Sequence, residues 1–291
     1  MHYIIGHTLF YAYESPVLLD PHILRLRPRS DVGQTLVNYN LQITPQPEQQ
    51  FQTIEVDGNA VQHLWFPSIP VSNLKVQMQA QVETHRKNPF DFLLSRWATQ
   101  LPIDYPLSLS TQLAPYLERN SVMLSVGIDP QAMALAQTIH HATGGNIVMF
   151  LCELTQRIYK DCTYVIRETG DPQLPGMTWT QKSGSCRDYA VLFIEACRAI
   201  GIAARFVSGY HEGDPDVKDY HLHAWAEVYL PGAGWRGFDP TIGLAVSDRH
   251  IALAASPFPS YTAPISGTLR AGSTAEATMS YQLSITNLNK E

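Results

Sequence analysis

GSCRDYAVLFIEACRAIG, residues 184–201, has the pattern of an amphipathic helix with a marked beginning and a marked end. Apolar residues recur at helical spacing from Ala190 to Cys197, and Gly201 suits a C-terminal stop because glycine readily adopts positive φ. Cys186 is therefore predicted to lie at the helix N-terminus. Unpaired backbone N–H groups and the positive end of the helix dipole favour a thiolate there, and the thiolate is the nucleophilic form.

Two strands joined by a tight turn follow this helix. HLHAWAEVYL, residues 221–230, alternates strictly, PGAG then turns the chain, and WRGFD returns as an antiparallel strand that ends at Asp239. This pairing brings Asp239 near the level of His223. An aspartate on one ring nitrogen of a histidine fixes its tautomer, and the other nitrogen can take a thiol proton. Cys186, His223 and Asp239 are therefore predicted to form a catalytic triad.

The chain has four cysteines, too few and too irregularly spaced for a disulfide framework in 291 residues. No C-x-x-C pair indicates zinc, so we expect neither a metal nor a cofactor. A free cysteine within a helical stripe is commonly a small buried apolar residue. That interpretation applies to Cys152, Cys162 and Cys197.

The N-terminal region has the period of β-strands. Apolar and polar residues alternate from Val37 to Ile43 and from Leu74 to Val82. Asp57-Gly58-Asn59 separates two apolar-rich runs, and glycine supplies the positive φ that a tight hairpin needs. An antiparallel β-sandwich-like domain is therefore predicted over residues 1–115.

The remaining chain is predicted to be mixed α and β. Residues 88–129 lose clear periodicity and contain several prolines, so we interpret them as a linker. Asp129-Pro130 fits a helix start, and a second helical stripe runs from Ile147 to Ile158. Alternation returns from Met279 to Ile285. The predicted units are a helix-containing core over residues 116–255 and terminal strands over residues 256–291 that pack on the N-terminal domain.

Composition and charge exclude several classes of protein. With 45% apolar and 16% charged residues the chain can build substantial cores. The net charge is -6 and no basic run occurs, so nucleic acid is not an expected partner. The first residues lack a signal pattern and no apolar run of about 18 residues occurs, so we expect a cytoplasmic protein with no membrane partner.

Several interlocking motifs are similar to the core of the transglutaminase-like superfamily. The order Cys, His, Asp and their separations of 37 and 16 residues match the pattern of that family. The resemblance covers about residues 130–245. The motifs are Gly184-Ser-Cys-Arg-Asp-Tyr189, Cys197-Arg-Ala-Ile-Gly-Ile-Ala-Ala-Arg-Phe-Val-Ser-Gly209, His223-Ala-Trp-Ala-Glu-Val228 and Gly234-Trp-Arg-Gly-Phe-Asp-Pro240.

The resemblance implies a papain-like core, in which the helix of the nucleophile packs on an antiparallel sheet that bears the His and Asp. It implies that Cys186 is the nucleophile, His223 the general base and then acid, and Asp239 the orienting carboxylate. The Cys186 backbone N–H should stabilise the oxyanion. For a second oxyanion donor, Trp179 and Gln181 remain open beside an ordinary loop role for both.

The N-terminal stretch also resembles a known region. Residues 11–28, together with Gly58-Asn59 and Trp65-Phe66, are similar to the bacterial transglutaminase N-terminal region. The chain departs from the family near residues 251–258, where bacterial members that it resembles usually carry a Gly-Arg-Asp-Tyr-like stretch.

Four functional readings follow. A thioester formed by a thiol enzyme is released by water in hydrolysis or by a second amine in crosslinking. The resemblance favours hydrolysis of a peptide, protein or amide substrate over transglutamination. A noncatalytic scaffold that keeps the fold is a third reading.

The fourth reading is a metal hydrolase, but the sequence lacks an H-E-x-x-H helix. Its ligands would be His211, His221, His223 and Asp219. A polar loop precedes His221 and lacks the spacing of a calcium loop, so we interpret it as solvated. Its charged residues are Asp214, Asp216, Lys218 and Asp219.

Overall fold

A computed structural model of the chain describes residues 1–118, 127–167, 169–213, 221–270 and 275–289. Its antiparallel sheets and packed helices confirm the predicted α+β fold. Within the described ranges no helix combines the length and the apolar character needed to span a bilayer. The strands are β1 (His2–Val17), β2 (His22–Leu24), β3 (Gln34–Thr44), β4 (Gln49–Ile54), β5 (Ala60–Trp65), β6 (Val71–Thr84), β7 (Thr163–Tyr164), β8 (Ser183–Gly184), β9 (Ala204–His211), β10 (His223–Leu230), β11 (Gly234–Asp239), β12 (Leu244–Ala245), β13 (His250–Ser256), β14 (Ile265–Ser266) and β15 (Ala277–Asn287). The helices are α1 (Leu107–Gln112), α2 (Ala114–Leu117), α3 (Pro130–Ala142), α4 (Ile147–Asp161), α5 (Pro175–Gln181) and α6 (Cys186–Ala199), with 3₁₀ helices at Arg96–Ala98 and Pro259–Thr262.

The N-terminal region is a β-sandwich of two four-stranded antiparallel sheets, ordered β15-β1-β6-β3 and β14-β2-β5-β4. Tyr3 and Val76 of the first sheet share one buried cluster with Leu24 and Leu64 of the second. The last strand, β15, pairs along β1 from Tyr3 opposite Asn287 to Tyr13 opposite Ala277. The first and last strands of the chain are therefore neighbours in one sheet.

Local turn chemistry explains the hairpin, and a bulge explains one departure from alternation. β4 and β5 pair around a turn in which Gly58 has a φ of +77°. Along β3 the register with β6 shifts between Leu36 and Asn38, so Val37 is an extra residue and is half-exposed. Its alternation with Tyr39 therefore does not place it in the core.

The helix-containing core has a five-stranded sheet, ordered β12-β11-β10-β9-β13, against which α6 packs. Asp129 caps α3 as expected, because its carboxylate accepts the backbone N–H groups of Gln131 and Ala132. The predicted stripe of α4 from Ile147 to Ile158 is buried. Gly201 follows α6 with a φ of +83°, which ends the helix.

The segment interpreted as a linker carries short helices. Pro115 lies in the first turn of α2, where a missing backbone N–H costs nothing. Ala98, Leu101 and Ile103 are buried within the helix-containing core and do not belong to the sandwich cluster. Pro106 and Pro115 therefore stand at helix starts in this segment and do not prevent the helices.

The two parts of the molecule share an interior. Tyr210 of β9 and Ile251 and Leu253 of β13 belong to the same buried cluster as Tyr3 and Ile5 of β1. The five-stranded sheet is consequently covered by α6 and by the N-terminal sandwich. This arrangement places strands β1 and β15 beside the N-terminal end of α6.

Candidate active site

Cys186 is the first residue of α6 and is half-buried. The turn that presents it is fixed by Asp188, a fully buried carboxylate. Its Oδ2 accepts hydrogen bonds from the Ser185 backbone N–H and Oγ, both at 2.7 Å. Its Oδ1 accepts from Arg167 Nη2 at 2.6 Å and the Gln173 N–H at 2.7 Å. These four hydrogen bonds hold the backbone around the cysteine in one geometry.

His223 and Asp239 meet at one end of the five-stranded sheet, where β10 begins and β11 ends. His223 Nε2 lies 2.6 Å from Asp239 Oδ2, and the backbone N–H of Thr241 donates to Asp239 Oδ1 at 2.9 Å. Cys186 lies close enough to the same imidazole to raise its pKa. Because Nε2 is directed to Asp239, the ring nitrogen left for the sulfur is Nδ1. The structure therefore brings the three predicted site residues together.

Burial and charge act in opposite directions on this pair. Burial alone lowers the pKa of His223, but the charge and hydrogen bond of Asp239, together with Cys186, raise it to about 10. Burial raises the pKa of Asp239, but the interactions with His223 and His250 outweigh it and hold this pKa below its ordinary value. An imidazolium paired with a carboxylate is therefore the favoured state at neutral pH, and a cation beside sulfur favours a thiolate.

A second histidine contacts the same carboxylate oxygen. His250, the first residue of β13, lies opposite His211 of β9, and its Nε2 is 3.1 Å from Asp239 Oδ2. Its Nδ1 accepts the backbone N–H of Ser247 at 3.4 Å, so the proton of the neutral ring is on Nε2. Burial lowers the pKa of His250 and so favours this neutral form. His250 is thus a donor to Asp239 that sequence reasoning missed, since its approach depends on the pairing of β13 with β9.

Tyr164 is a further residue at the site that the sequence analysis did not identify. β7 pairs in parallel with β8, which places Tyr164 opposite Gly184, two residues before Cys186. The Tyr164 side chain lies beside Cys186, and both residues line the same cavity. Burial and the nearby Cys186 and Asp239 raise the pKa of Tyr164, so its hydroxyl keeps its proton. The signal available in the sequence was only its position in a short strand before the nucleophile.

The suggested second oxyanion donors lie elsewhere. Gln181 is exposed, and Trp179 packs on the helix-containing core with the Lys182 ammonium over its ring. Neither is among the described residues that line the cavity next to Cys186, whereas Tyr164 is. Tyr164 therefore replaces both as the candidate donor.

Cys186 and His223 open into a cavity of about 270 Å³ between the helix-containing core and the sandwich. Strand β1 contributes Leu9 and Tyr11 to its lining, and β15 contributes Met279 and Tyr281. The cavity gives a substrate direct access to the cysteine.

The ligand set named for the metal-hydrolase alternative is not assembled by the described residues. Asp219 lies outside them, as do the other charged residues of that loop, Asp214, Asp216 and Lys218. The His221 ring is hydrogen-bonded to the hydroxyl of Tyr281. In the described part of the chain, ligand atoms of His223, Asp239 and His250 lie within 4.8 Å of one another. Hydrogen bonds already join these three groups, and a bound ion would have to replace the protons in them.

The remaining cysteines occupy packing positions. Cys197 is fully buried and Cys162 is buried, while Cys152 is half-buried. Burial raises the pKa of each of these three thiols. The surroundings that raise these pKa values also disfavour the reactive thiolate.

Comparisons with known proteins agree with the resemblance inferred from the motifs. The family model of the transglutaminase-like superfamily core matches residues 135–240, which include Cys186, His223 and Asp239. The model of the bacterial transglutaminase-like N-terminal region matches residues 3–83.

Individual proteins and one solved structure are also similar to this chain. The Mycobacterium tuberculosis protein Rv2569c, which has no functional name, is 28% identical over 263 residues, or 86% of this chain and 81% of that protein. A protein-glutamine gamma-glutamyltransferase of Pseudomonas aeruginosa is 27% identical over 144 residues, or 46% of this chain and 22% of that protein. The crystal structure of a putative cysteine protease from Cytophaga hutchinsonii is similar to this chain, with a TM-score of 0.71 and 22% sequence identity. The match covers 99% of this chain and 91% of the Cytophaga hutchinsonii chain. This last match supports the fold.

Proposed function

The chain belongs to the transglutaminase-like superfamily, and we propose that it is a cysteine-dependent acyl-transfer enzyme that hydrolyses peptide or amide bonds. The observation that carries this proposal is the 2.6 Å hydrogen bond between His223 and buried Asp239 at the cavity into which Cys186 opens. A nucleophile, a base and a group that orients the base are the minimum for thiol acyl transfer. All three are held on regular secondary structure.

In the first half of the proposed reaction, the Cys186 thiolate attacks the substrate carbonyl carbon and forms a tetrahedral intermediate. The Cys186 backbone N–H and the Tyr164 hydroxyl donate hydrogen bonds to the oxyanion. His223 then transfers the proton of Nδ1 to the leaving amine, and the C–N bond breaks. Asp239 stabilises the imidazolium before this transfer and keeps the ring oriented throughout.

In the second half, water attacks the thioester while His223 takes its proton. The second tetrahedral intermediate collapses to a carboxylic acid and releases the Cys186 thiolate. Hydrolysis needs no second binding site, because the acceptor is solvent, which reaches half-buried Cys186 through the cavity. This is the physical reason for preferring water as the acceptor.

Transglutamination is the second candidate. The same thioester would be attacked by a primary amine, and a new amide would form in place of the acid. The observation that favours it is the similarity of 144 residues to the Pseudomonas aeruginosa protein-glutamine gamma-glutamyltransferase. The two reactions share acylation and differ in the acceptor alone.

A product assay distinguishes the candidates. The protein would be incubated with a mixed library of acetylated peptides, with and without millimolar concentrations of a dansyl-labelled primary amine, and products would be read by mass spectrometry. Shortened peptides or glutamine converted to glutamate support hydrolysis, whereas dansyl adducts on glutamine support transglutamination.

A thiol-reactivity assay tests the shared first step. Limiting iodoacetamide should label Cys186 selectively at a pH well below the ordinary thiol pKa of about 8.5, and His223→Ala should abolish the selectivity. Cys152→Ala is the matched control and should leave the selective labelling of Cys186 in place. Cys152 is also half-buried, but it has no histidine partner in the described structure. Slow, uniform labelling of the parent would contradict both enzymatic candidates and support a scaffold.

A further inference from the structure

The cavity beside Cys186 is walled on one side by the two ends of the chain. Tyr11 of β1 lies directly opposite Met279 of β15, and Leu9 lies opposite Tyr281. All four side chains line the cavity. Directly opposed side chains in an antiparallel pair form a continuous surface. We call this surface of two cross-strand pairs the strand wall.

The remaining lining near the strand wall is also largely carbon. Leu222, just before β10, and the loop that follows β13 close the space. This loop contributes Pro259 and Ala263 and comes directly after the segment in which the sequence departs from its family.

Among the described residues that line the cavity, the acidic and basic ones other than histidine are Arg167, Asp171 and Arg187, and none of them belongs to the strand wall. Arg167 is bound by Asp188, and Arg187 donates to the backbone carbonyl oxygens of Arg167 and Thr169. Asp171 is exposed. Among the described lining residues, the strand wall includes no carboxylate, ammonium or guanidinium group.

Two histidines next to the strand wall, His7 and His221, are hydrogen-bonded to partners within the protein. His7 is buried, and its Nδ1 is 2.8 Å from the Tyr210 hydroxyl. Burial lowers the pKa of His7 to about 4, so the ring is neutral at physiological pH. The ring of His221 is hydrogen-bonded to the hydroxyl of Tyr281. A charged group placed against this surface would lose water and gain no counter-charge from the described residues of the strand wall, whereas an apolar group would gain from burial.

We propose that the strand wall is the specificity surface of the acyl site and binds an uncharged, apolar side chain, aromatic or branched, next to the reacting carbonyl. The proposal rests on the function proposed for Cys186. It makes the N-terminal sandwich and the last strand part of the active site, since they form the surface that selects the substrate.

The test uses chloromethyl ketones of N-acetylated amino acids, which place one side chain next to a carbonyl. The Cys186 thiolate displaces chloride, so a C–S bond forms, a C–Cl bond breaks and no other reactant is needed. Second-order rate constants would be measured by mass spectrometry for the Phe, Lys and Asp derivatives, each normalised to its rate with a small free thiol. The Phe derivative should react about 10- to 100-fold faster than either charged derivative.

A matched pair of variants locates the preference. Met279→Glu adds a carboxylate to the strand wall and should lower the preference for Phe over Lys by about tenfold. Ser280→Glu adds the same charge at the adjacent exposed position and should leave the preference unchanged. Met279→Lys adds the opposite charge and should instead lower the preference for the Phe derivative over the Asp derivative. Thermal melting would verify that each variant is folded.

The two proposals can fail separately. Equal normalised rates for the three ketones, with rapid selective labelling of Cys186 by iodoacetamide, would overturn the strand-wall proposal and leave the enzymatic proposal standing. Labelling of Cys186 by iodoacetamide no faster than that of Cys152 would overturn the enzymatic proposal itself. An equal loss of preference in Met279→Glu and Ser280→Glu would also overturn the strand wall as the selecting surface.

Discussion

Two cysteines on one helix show how strongly position controls the chemistry of a residue. Cys186 begins α6, is half-buried, and contacts His223 and Tyr164. Cys197, in the last turns of the same helix, is fully buried, and burial raises its pKa well above the ordinary value. The first lies at a helix N-terminus beside His223 and a cavity, whereas the second is enclosed in the buried helix-containing core. The contrast teaches that one helix supplies two environments, a position open to the cavity at its start and a packing position near its end.

The largest expected effect comes from removing each cysteine in turn. Cys186→Ala should abolish acylation and leave the stability near that of the parent, because the side chain is half-buried at a helix end. Cys197→Ala should retain activity and lower the free energy of unfolding by about 1 kcal/mol through lost packing. Product formation and urea unfolding measure the two effects. Full activity in Cys186→Ala would show that Cys186 is not the nucleophile and would contradict the proposed mechanism.

The next effect tests the carboxylate that pairs with His223. Asp239→Asn keeps the size of the side chain but removes its charge, so His223 should lose its raised pKa. Acylation should fall roughly 10⁴-fold at neutral pH, as expected when a triad carboxylate is replaced by its amide. Alkylation of Cys186 across a pH series would show its reactivity shifting toward the behaviour of an ordinary thiol. An unchanged pH profile would contradict the role of the pair.

The same pair predicts how stability depends on pH. His223 has a folded pKa raised from 6.5 to about 10, so its contribution is fully present below pH 6.5 and is lost as the pH rises toward 10. Asp239 has a lowered folded pKa, so its contribution is present above its ordinary value of 3.8 and is lost at lower pH. The free energy of unfolding of the parent minus that of Asp239→Asn should therefore be largest between these two ordinary pKa values. Denaturant titrations across the pH range would contradict the assignment if this difference rose toward pH 10.

A smaller effect is expected from the hydroxyl beside Cys186. Tyr164→Phe removes one oxyanion donor while keeping the ring in place, and should lower kcat about 10²-fold with little change in KM. Tyr159→Phe is a matched control, since Tyr159 is a half-exposed tyrosine outside the cavity lining. An increase in rate for Tyr164→Phe would show that the hydroxyl restrains the sulfur and does not assist the reaction.

The smallest effect concerns His250, which we infer positions Asp239. His250→Leu removes the donor to Oδ2 and should slow acylation by about tenfold while shifting its pH profile. His250→Gln retains an N–H donor near the same place and should recover part of the rate. Equal losses in both variants, with an unshifted pH profile, would indicate that His250 serves packing alone.

Local patterns were sufficient for the elements and for the predicted triad. The helical spacing before Gly201, the Asp129 cap and the turn at Gly58 all produced the structures expected of them, because each depends on neighbouring residues. The strict alternation after His221 and the turn before Trp235 likewise placed His223 and Asp239 within reach of each other. Short-range geometry therefore determined these features.

Long-range contacts decided the rest of the site. His250 reaches Asp239 because β13 pairs with β9, Tyr164 reaches Cys186 because β7 pairs with β8, and Met279 faces Tyr11 because the last strand pairs with the first. No sequence period records which strands become neighbours, since pairing is selected by the burial of whole faces and by sheet closure. By itself the sequence predicted Cys186, His223 and Asp239 as one set, together with the helix and the two strands that carry them. The tertiary structure decided what surrounds the sulfur and which surface a substrate meets.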